Sequence, residues 1–334
     1  MTSLEKPFVS VCTPTFNRRP FFPAAIECFK QQDYPKDRME WIIVDDGTDK
    51  IEDLVKDIPQ VKYFKYDEQM VIGKKRNITN DKASGDIIVY MDDDDYYCPT
   101  RVSHAVRMLQ MNPEVLCAGG SKQLIYFKHI NKLYQFGPYH DRHGTAGTFA
   151  FRKELLDITR FDDNAGLAEE KSFLKNFSIP FIQLDYRQTS VMFSHTQNTY
   201  DKRDMIKNNN ERFVKPSNLV IDDVVCNEKL KNFYLNEVDE LLENYKIGET
   251  TMKPEVLRQI KLIEQARKNS ANQQIQGAIP MFHFTGNNGE RISYTPEQII
   301  EVLKNKDRII MSMKNELDNK VKEIQFLKTY YKIA

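Results

Sequence analysis

Short apolar runs alternate with helix-length segments through the N-terminal third of the chain, and this alternation constrains the fold more than any other feature. Phe8 to Cys12, Trp41 to Val44, Val61 to Phe64 and Asp86 to Met91 are rich in β-branched and aromatic residues, the composition of buried strands. Between them, Phe22 to Gln32 places Ala25, Ile26 and Phe29 at helical spacing, and Gly73 to Ala83 reads as a second helix. Thr100 to Met111 is a third, with Pro99 near its first turn and Pro113 beyond its end. Short apolar strands joined through helices predict a mostly parallel α/β sheet covered on both faces. Such sheets bind ligands at the carboxyl ends of their strands, so the residues directly after each run matter most.

From Leu116 the pattern shifts to strands and turns. Leu124 to Phe127 and Leu133 to Phe136 suit a hairpin around His129 to Lys132. Ala146 to Phe151, Phe181 to Leu184 and Ser190 to Phe193 read as strands, and Lys171 to Phe177 as a helix. After Asp201 the composition turns polar, so a catalytic domain is expected over 1–215. A helical extension and linker is expected over 216–280, helical from Asp222 to Asn269 except around Gly248 to Pro254, with a linker-like stretch from Ser270 to Gly289. The remainder, 281–334, reads as one long helix. Thr295, Pro296 and Gln298 supply its N-cap, first-turn proline and capping-box partner. Behind them Leu303, Lys306, Ile310, Met313, Leu317, Lys320, Ile324, Leu327 and Tyr331 fall on one 3-4 alternating stripe, the pattern of a coiled-coil seam and of a homo-oligomer formed through it.

The polar residues that follow the strands carry the chemistry. Asp92, Asp93, Asp94 and Asp95 come directly after the run ending Tyr90-Met91. Four adjacent carboxylates repel one another unless a cation or solvent relieves them. Carboxylate oxygens are also the ligands of magnesium and manganese, which commonly bridge protein to substrate phosphate. Strand one runs into Pro14, Thr15, Phe16, Asn17 and Arg18, and strand two into Asp45, Asp46, Gly47 and Thr48. Lys74, Lys75 and Arg76 open a helix, where basic groups and free N–H groups can hold phosphate.

These four segments in this order resemble the nucleotide-sugar half of the family 2 glycosyltransferases, of GT-A fold, over roughly residues 7 to 200. The resemblance implies an inverting, metal-dependent glycosyltransferase. Its donor would be a nucleotide sugar, of UDP by that likeness, its cofactor a manganese or magnesium ion, and its acceptor a glycan or other hydroxyl. Carried over residue by residue, the donor contacts are Pro14, Thr15, Asn17, Arg18, Asp45, Asp46, Lys74, Lys75, Arg76, Asp92 and Asp93, and the metal set is Asp94, Asp92 and His195. Gly147 to Arg152 is similar to the family's acceptor-side strand. Glu169 and Glu170 stand where the family usually has Glu-Asp, which makes Glu170 the expected general base with Glu169 as its neighbour. His195 and Asn198 are similar to the family's His-x-x-Asn, and His140 and His143 are candidates for acceptor contact.

Composition narrows the alternatives. Lys plus Arg and Asp plus Glu are both 48, so no basic excess points to nucleic acid. Hydrophobic residues make up 40%, enough for a sizeable core. Cys12, Cys28, Cys98, Cys117 and Cys226 have no zinc-finger spacing and read as isolated thiols. No signal-peptide core or transmembrane run occurs, so a cytoplasmic protein is expected, with room for peripheral membrane association. A nucleotidyltransferase would need a Gly-rich loop that Thr13 to Arg18 lacks, and no P-loop motif occurs. A retaining transferase and an inactive scaffold built around the C-terminal helix are the other readings.

Overall fold

The computed structural model of the chain describes residues 6–199, 202–207, 212–276, 282–286 and 289–332. The chain divides into two compact units between Ile260 and Lys261. In the first, strands β1 (Val9–Thr15), β2 (Met39–Asp45), β3 (Val61–Lys65) and β4 (Ile87–Tyr90) pair in parallel in the order β4-β1-β2-β3. They are the four apolar runs of the sequence. Alternation along each strand sends neighbouring side chains to opposite faces. Val9, Val11, Trp41, Ile43, Ile87 and Val89 enter one core, while Cys12, Ile42, Ile88 and Tyr90 enter another.

Chain order continues through β5 (Tyr96–Tyr97), β6 (Cys117–Gly119), β7 (Gln123–Phe127), β8 (Lys132–Phe136), β9 (Ala150–Arg152), β10 (Phe181–Gln183), β11 (Ser190–Ser194) and β12 (Val214–Pro216). The main sheet has the order β10-β6-β9-β4-β1-β2-β3, with β9 antiparallel to both neighbours. A second sheet, β12-β8-β7-β11-β5, contains the expected hairpin as β7 and β8. The two sheets share a core, in which Leu124, Tyr126, Val191 and Phe193 join the strands and helices of the first. The fold class is the expected α/β one.

The helices Phe22–Lys30, Ile72–Lys82 and Arg101–Met111 match their sequence patterns closely. The first lays Phe29 flat on Trp41, with ring centroids 4.6 Å apart. Two elements differ from expectation. Ala146–Thr148 is a helical turn, so the strand expected from Ala146 begins only at Ala150. The helix expected to Phe177 stops at Phe173, because Lys175, Asn176 and Phe177 take left-handed φ values of 48°, 55° and 61°. Left-handed backbone cannot continue a right-handed helix.

Residues beyond 216 remain in the first unit's core: Val224, Val225, Leu230, Phe233, Tyr234, Val238 and Leu242 are buried there, and Tyr234 stacks on Phe193 at 4.2 Å. The helix Pro254–Gln276 extends into the stretch read as a linker, which also contains β13 (Phe282–Thr285), paired antiparallel with β14 (Arg291–Tyr294). Residues 277–281, 287 and 288 of that stretch lie outside the described residues. The long helix Pro296–Lys332 forms as expected. Thr295 N–H donates to Gln298 Oε1 at 2.9 Å, and Gln298 N–H returns to Thr295 Oγ1 at 3.3 Å. Among the described residues, no helix is long and apolar enough to cross a membrane.

Candidate active site

The carboxyl ends of β1, β2 and β4 are cross-braced before any ligand is considered. Thr13 Oγ1 donates to Met91 O at 2.6 Å and accepts the Trp41 indole N–H at 2.8 Å, locking the three strand ends together. Beyond them opens a cleft of 440 Å³, lined among others by Pro14, Arg18, Lys75, Arg76, Asp93 and Glu169.

Arg76 organises one wall. It is buried on the helix Ile72–Lys82, its guanidinium 4.5 Å from the centre of the Tyr90 ring. Nη1 and Nη2 grip Asp92 at 3.1 and 3.2 Å, and Nε donates to Glu169 Oε1 at 2.9 Å. Burial opposes its charge, but the two carboxylates outweigh burial and raise its pKa further above the ordinary arginine range. One side chain thus joins the acidic run after β4 to the acid pair that leads into the helix Glu170–Phe173. Gly73, one turn earlier, allows this approach: a Cβ there would lie 2.0 Å from Asp162 O.

Asp92 is held from two further directions. Its N–H donates to the Tyr97 hydroxyl at 2.8 Å, and that hydroxyl donates to Gly147 O at 3.1 Å. Asp93 and Asp94 face Arg18, each 3.7 Å from a guanidinium nitrogen. Their environments push them apart. Burial and the neighbouring Asp94 charge raise Asp93 to about 7. Burial also works against Asp94, but the hydrogen bond with His195 and the charge of Arg18 prevail and hold it well below the usual carboxylate range. Asp95 is buried and raised well above that range, chiefly by burial.

His195 follows β11. Its Nε2 lies 3.3 Å from Asp94 Oδ2 and 2.7 Å from the Asn198 side-chain nitrogen, while Asn198 Oδ1 accepts the His195 N–H at 2.9 Å. Burial lowers its pKa to about 4 despite Asp94, so the imidazole is neutral near pH 7. The structure therefore brings Asp94 and His195 together and leaves Asp92 on Arg76. Among the described residues, no three carboxylate, imidazole or thiol side chains are gathered as a ready-made metal cage.

Other residues singled out in the sequence brace the cleft instead of lining it. Asp45 accepts from Gly47 N–H at 2.8 Å and from the Tyr63 hydroxyl at 2.6 Å, shaping the turn after β2. Asp46 takes Lys75 Nζ at 2.5 Å and Met70 N–H at 2.6 Å. Asn17, left-handed at φ 49°, accepts the N–H groups of Thr48 and Asp49 at 2.8 and 3.0 Å. Thr15 is buried, Lys74 is exposed and away from the cleft, and His143 packs against Tyr139 and Phe177.

The acid pair divides. Glu169 lines the cleft against Arg76. Glu170 is not among the cleft-lining residues, makes no ion pair among the described residues, and is raised to about 7 by burial and by Glu169. Lys253, Pro254, Glu255 and Val256 also line the cleft, from a segment where the sequence offered only a break between helices. A lysine between two helices carries no local signal of a site.

Residues 10–160 match the profile of the family described as Glycosyl transferase family 2. The GalNAc(5)-diNAcBac-PP-undecaprenol beta-1,3-glucosyltransferase of Campylobacter jejuni subsp. jejuni is 28% identical over 224 residues, which cover 58% of this chain and 70% of that one. The poly(ribitol-phosphate) beta-N-acetylglucosaminyltransferase TarS of Staphylococcus aureus is 29% identical over 92 residues, 26% of this chain and 16% of TarS. The crystal structure of S. aureus TarS 1-349 gives a TM-score of 0.43 at 19% identity, over 56% of this chain and 60% of that one, a likeness too slight to carry a functional argument.

Proposed function

We propose that this chain acts as a family 2 glycosyltransferase whose cleft binds a nucleotide sugar, with UDP the expected nucleotide, and passes the sugar with inversion to a hydroxyl acceptor in glycan synthesis. The observation that carries this reading is Arg76. One buried guanidinium ties the acidic run after β4 to the acid pair Glu169–Glu170, so a donor side and an acceptor side meet at one residue. The names of the two relatives, a glucosyltransferase and an N-acetylglucosaminyltransferase, support a sugar as the group moved.

Lys75 and Arg76 present positive charge from the first turns of a helix, beside Arg18, where a diphosphate would lie. Asp46 orients Lys75, and Asp45 with Asn17 fixes the turn after β2. A manganese or magnesium ion fits the remaining donors: the ionised Asp94 beside the neutral His195 gives a carboxylate and an imidazole, and substrate phosphate supplies further oxygens. Bound there, the ion would add positive charge next to the departing diphosphate. Glu170 is the proposed general base. Glu169 is already paired with Arg76, whereas Glu170 carries no cation and has a pKa near 7, suited to taking a proton from an acceptor hydroxyl. The exposed stripe of the helix Pro296–Lys332 supports self-association through that helix.

The test is release of nucleoside diphosphate from a panel of nucleotide sugars, with manganese and with chelator, for the native chain and Asp94→Asn. Metal-dependent release from one donor, lost in the variant, is expected. Absence of any donor binding in the presence of metal would overturn the reading.

A further inference from the structure

A strap from Tyr245 to Lys253 lies wholly outside the family-matched residues 10–160, yet it is fastened to the loops after β1, β2, β3 and β11. Asn17 Nδ2 donates to Ile247 O at 3.0 Å, joining it to the loop after β1. The Tyr245 hydroxyl donates to Asp49 Oδ2 at 2.8 Å, joining it to the loop after β2. Gln197 Nε2 donates to Tyr245 O at 2.5 Å and Thr250 Oγ1 donates to Asn198 O at 3.0 Å, joining it to the loop after β11. Gln69 Nε2 closes the set on Met252 O at 3.1 Å. The strap presses close: a Cβ on Gly248 would lie 2.2 Å from Gln197 Oε1 and 2.7 Å from Asn17 O.

The strap ends at Lys253, whose side chain lines the cleft with its ammonium 5.6 Å from the centre of the Phe16 ring. Its surroundings set it apart from the other cleft cations. Lys75 rests on Asp46, Arg76 on Asp92 and Glu169, and Arg18 stands 3.7 Å from both Asp93 and Asp94. Lys253 has no side-chain hydrogen bond or ion pair among the described residues. Burial, with the charges of Arg18 and Lys75, outweighs the attraction of Asp93 and Asp94 and lowers it to about 7. A cation crowded by cations and given no resident counter-ion is placed to receive an anion from outside.

We propose that Lys253 binds the donor's diphosphate, so that the strap supplies a phosphate contact that the family-matched segment lacks. This assignment rests on the donor-cleft reading above. In the transfer, the acceptor oxygen bonds to the anomeric carbon as the bond from that carbon to the phosphate oxygen breaks. The electron pair leaves with the diphosphate, and the acceptor proton passes to Glu170. Lys253 stabilises the negative charge that builds on the diphosphate, alongside Arg18 and Lys75.

The experiment is calorimetric titration of the full chain with UDP, GDP, uridine and guanosine in the presence of Mn2+. Lys253→Met should weaken binding of the preferred diphosphate at least about tenfold, leave binding of its nucleoside unchanged, and leave the melting temperature equal or higher, since a crowded charge has gone. Lys253→Arg should recover most of the loss, and Lys253→Gln serves if the methionine variant does not fold. Equal binding of the diphosphate by native chain and variants overturns the assignment and leaves the donor cleft standing. Equal weakening of diphosphate and nucleoside also overturns it, as the mark of a structural role. A native chain that binds neither diphosphate removes the donor-cleft reading, and this assignment with it.

Discussion

Asp92 is gripped by Arg76, capped at its N–H by Tyr97 and given room by Gly147, where a Cβ would lie 2.5 Å from Asp92 Oδ2. Gly147→Ala should therefore push the carboxylate off Arg76. We expect donor turnover to fall by about a hundredfold, the cost of roughly 1 Å of misplacement, while the melting temperature falls by less than about 4 °C. Thermal melts and diphosphate release on the same samples check this. Arg76→Lys keeps the charge but loses the fork that reaches Asp92 and Glu169 together, and turnover should drop about a hundredfold or more. Glu170 sets a pH dependence. A general base must be ionised, so kcat/KM should climb as pH rises to about 7 and level off above, and Glu170→Gln should abolish both activity and that limb. The same shift acts oppositely on stability. The native carboxyl holds its proton to about 7 and the unfolded one only to about 4.5, so its contribution to stability is lost as pH rises between them. A rate that stays flat from pH 5 to 8 would exclude Glu170 as the base. At this scale Asp45, Asp46, Asp92 to Asp95 and His195 were legible because each follows an apolar strand, whereas Glu169 and Glu170 stood out only by family likeness. Their partners were not: nothing local to Asn17 shows that its amide holds Ile247, 230 positions away.

Strands β1, β2 and β4 were readable because a strand buried on both faces is mostly apolar, the half-buried edge strand β3 because Val61, Tyr63 and Phe64 are β-branched or aromatic, and helix Ile72–Lys82 because its turns carry the basic residues expected of it. The early end of helix Glu170–Phe173 was not. Lys175, Asn176 and Phe177 take positive φ without a glycine to announce it, and only Asn among them favours that region. The strap escaped notice for a related reason: its ties are mostly to main-chain carbonyls, which every sequence possesses. Its Gly248 gives a direct handle. Gly248→Ala must displace Gln197 or the Asn17 carbonyl, lifting the strap. Hydrogen exchange should quicken at residues 245–253 while the core strands keep their protection. Unchanged exchange there would mean that the strap is not held by this contact.

At the scale of the molecule, the first unit holds both sheets and the cleft, and the core reaches to Leu242. A chain ending after Gln276 should keep its melting transition and its nucleotide affinity. In contrast, light scattering should show a larger assembly for the full chain than for the shortened one, because the helix Pro296–Lys332 leaves Leu303, Ile310, Met313, Leu317, Ile324 and Leu327 exposed. Equal masses per particle for the two would refute association through this helix.

The strap also bears on how the protein is made. A ribosome delivers the chain from its N-terminus, and domains begin to fold as they emerge. The whole matched segment, to residue 160, is in hand well before Tyr245 and Lys253 leave the exit tunnel. Until then the loops after β1, β2 and β11 lack their common tie, and the diphosphate lacks one of its proposed contacts. Nascent chains arrested short of the strap would hold a sheet and an acidic cleft but grip donor weakly. The enzyme would come into use only after the strap itself had been made.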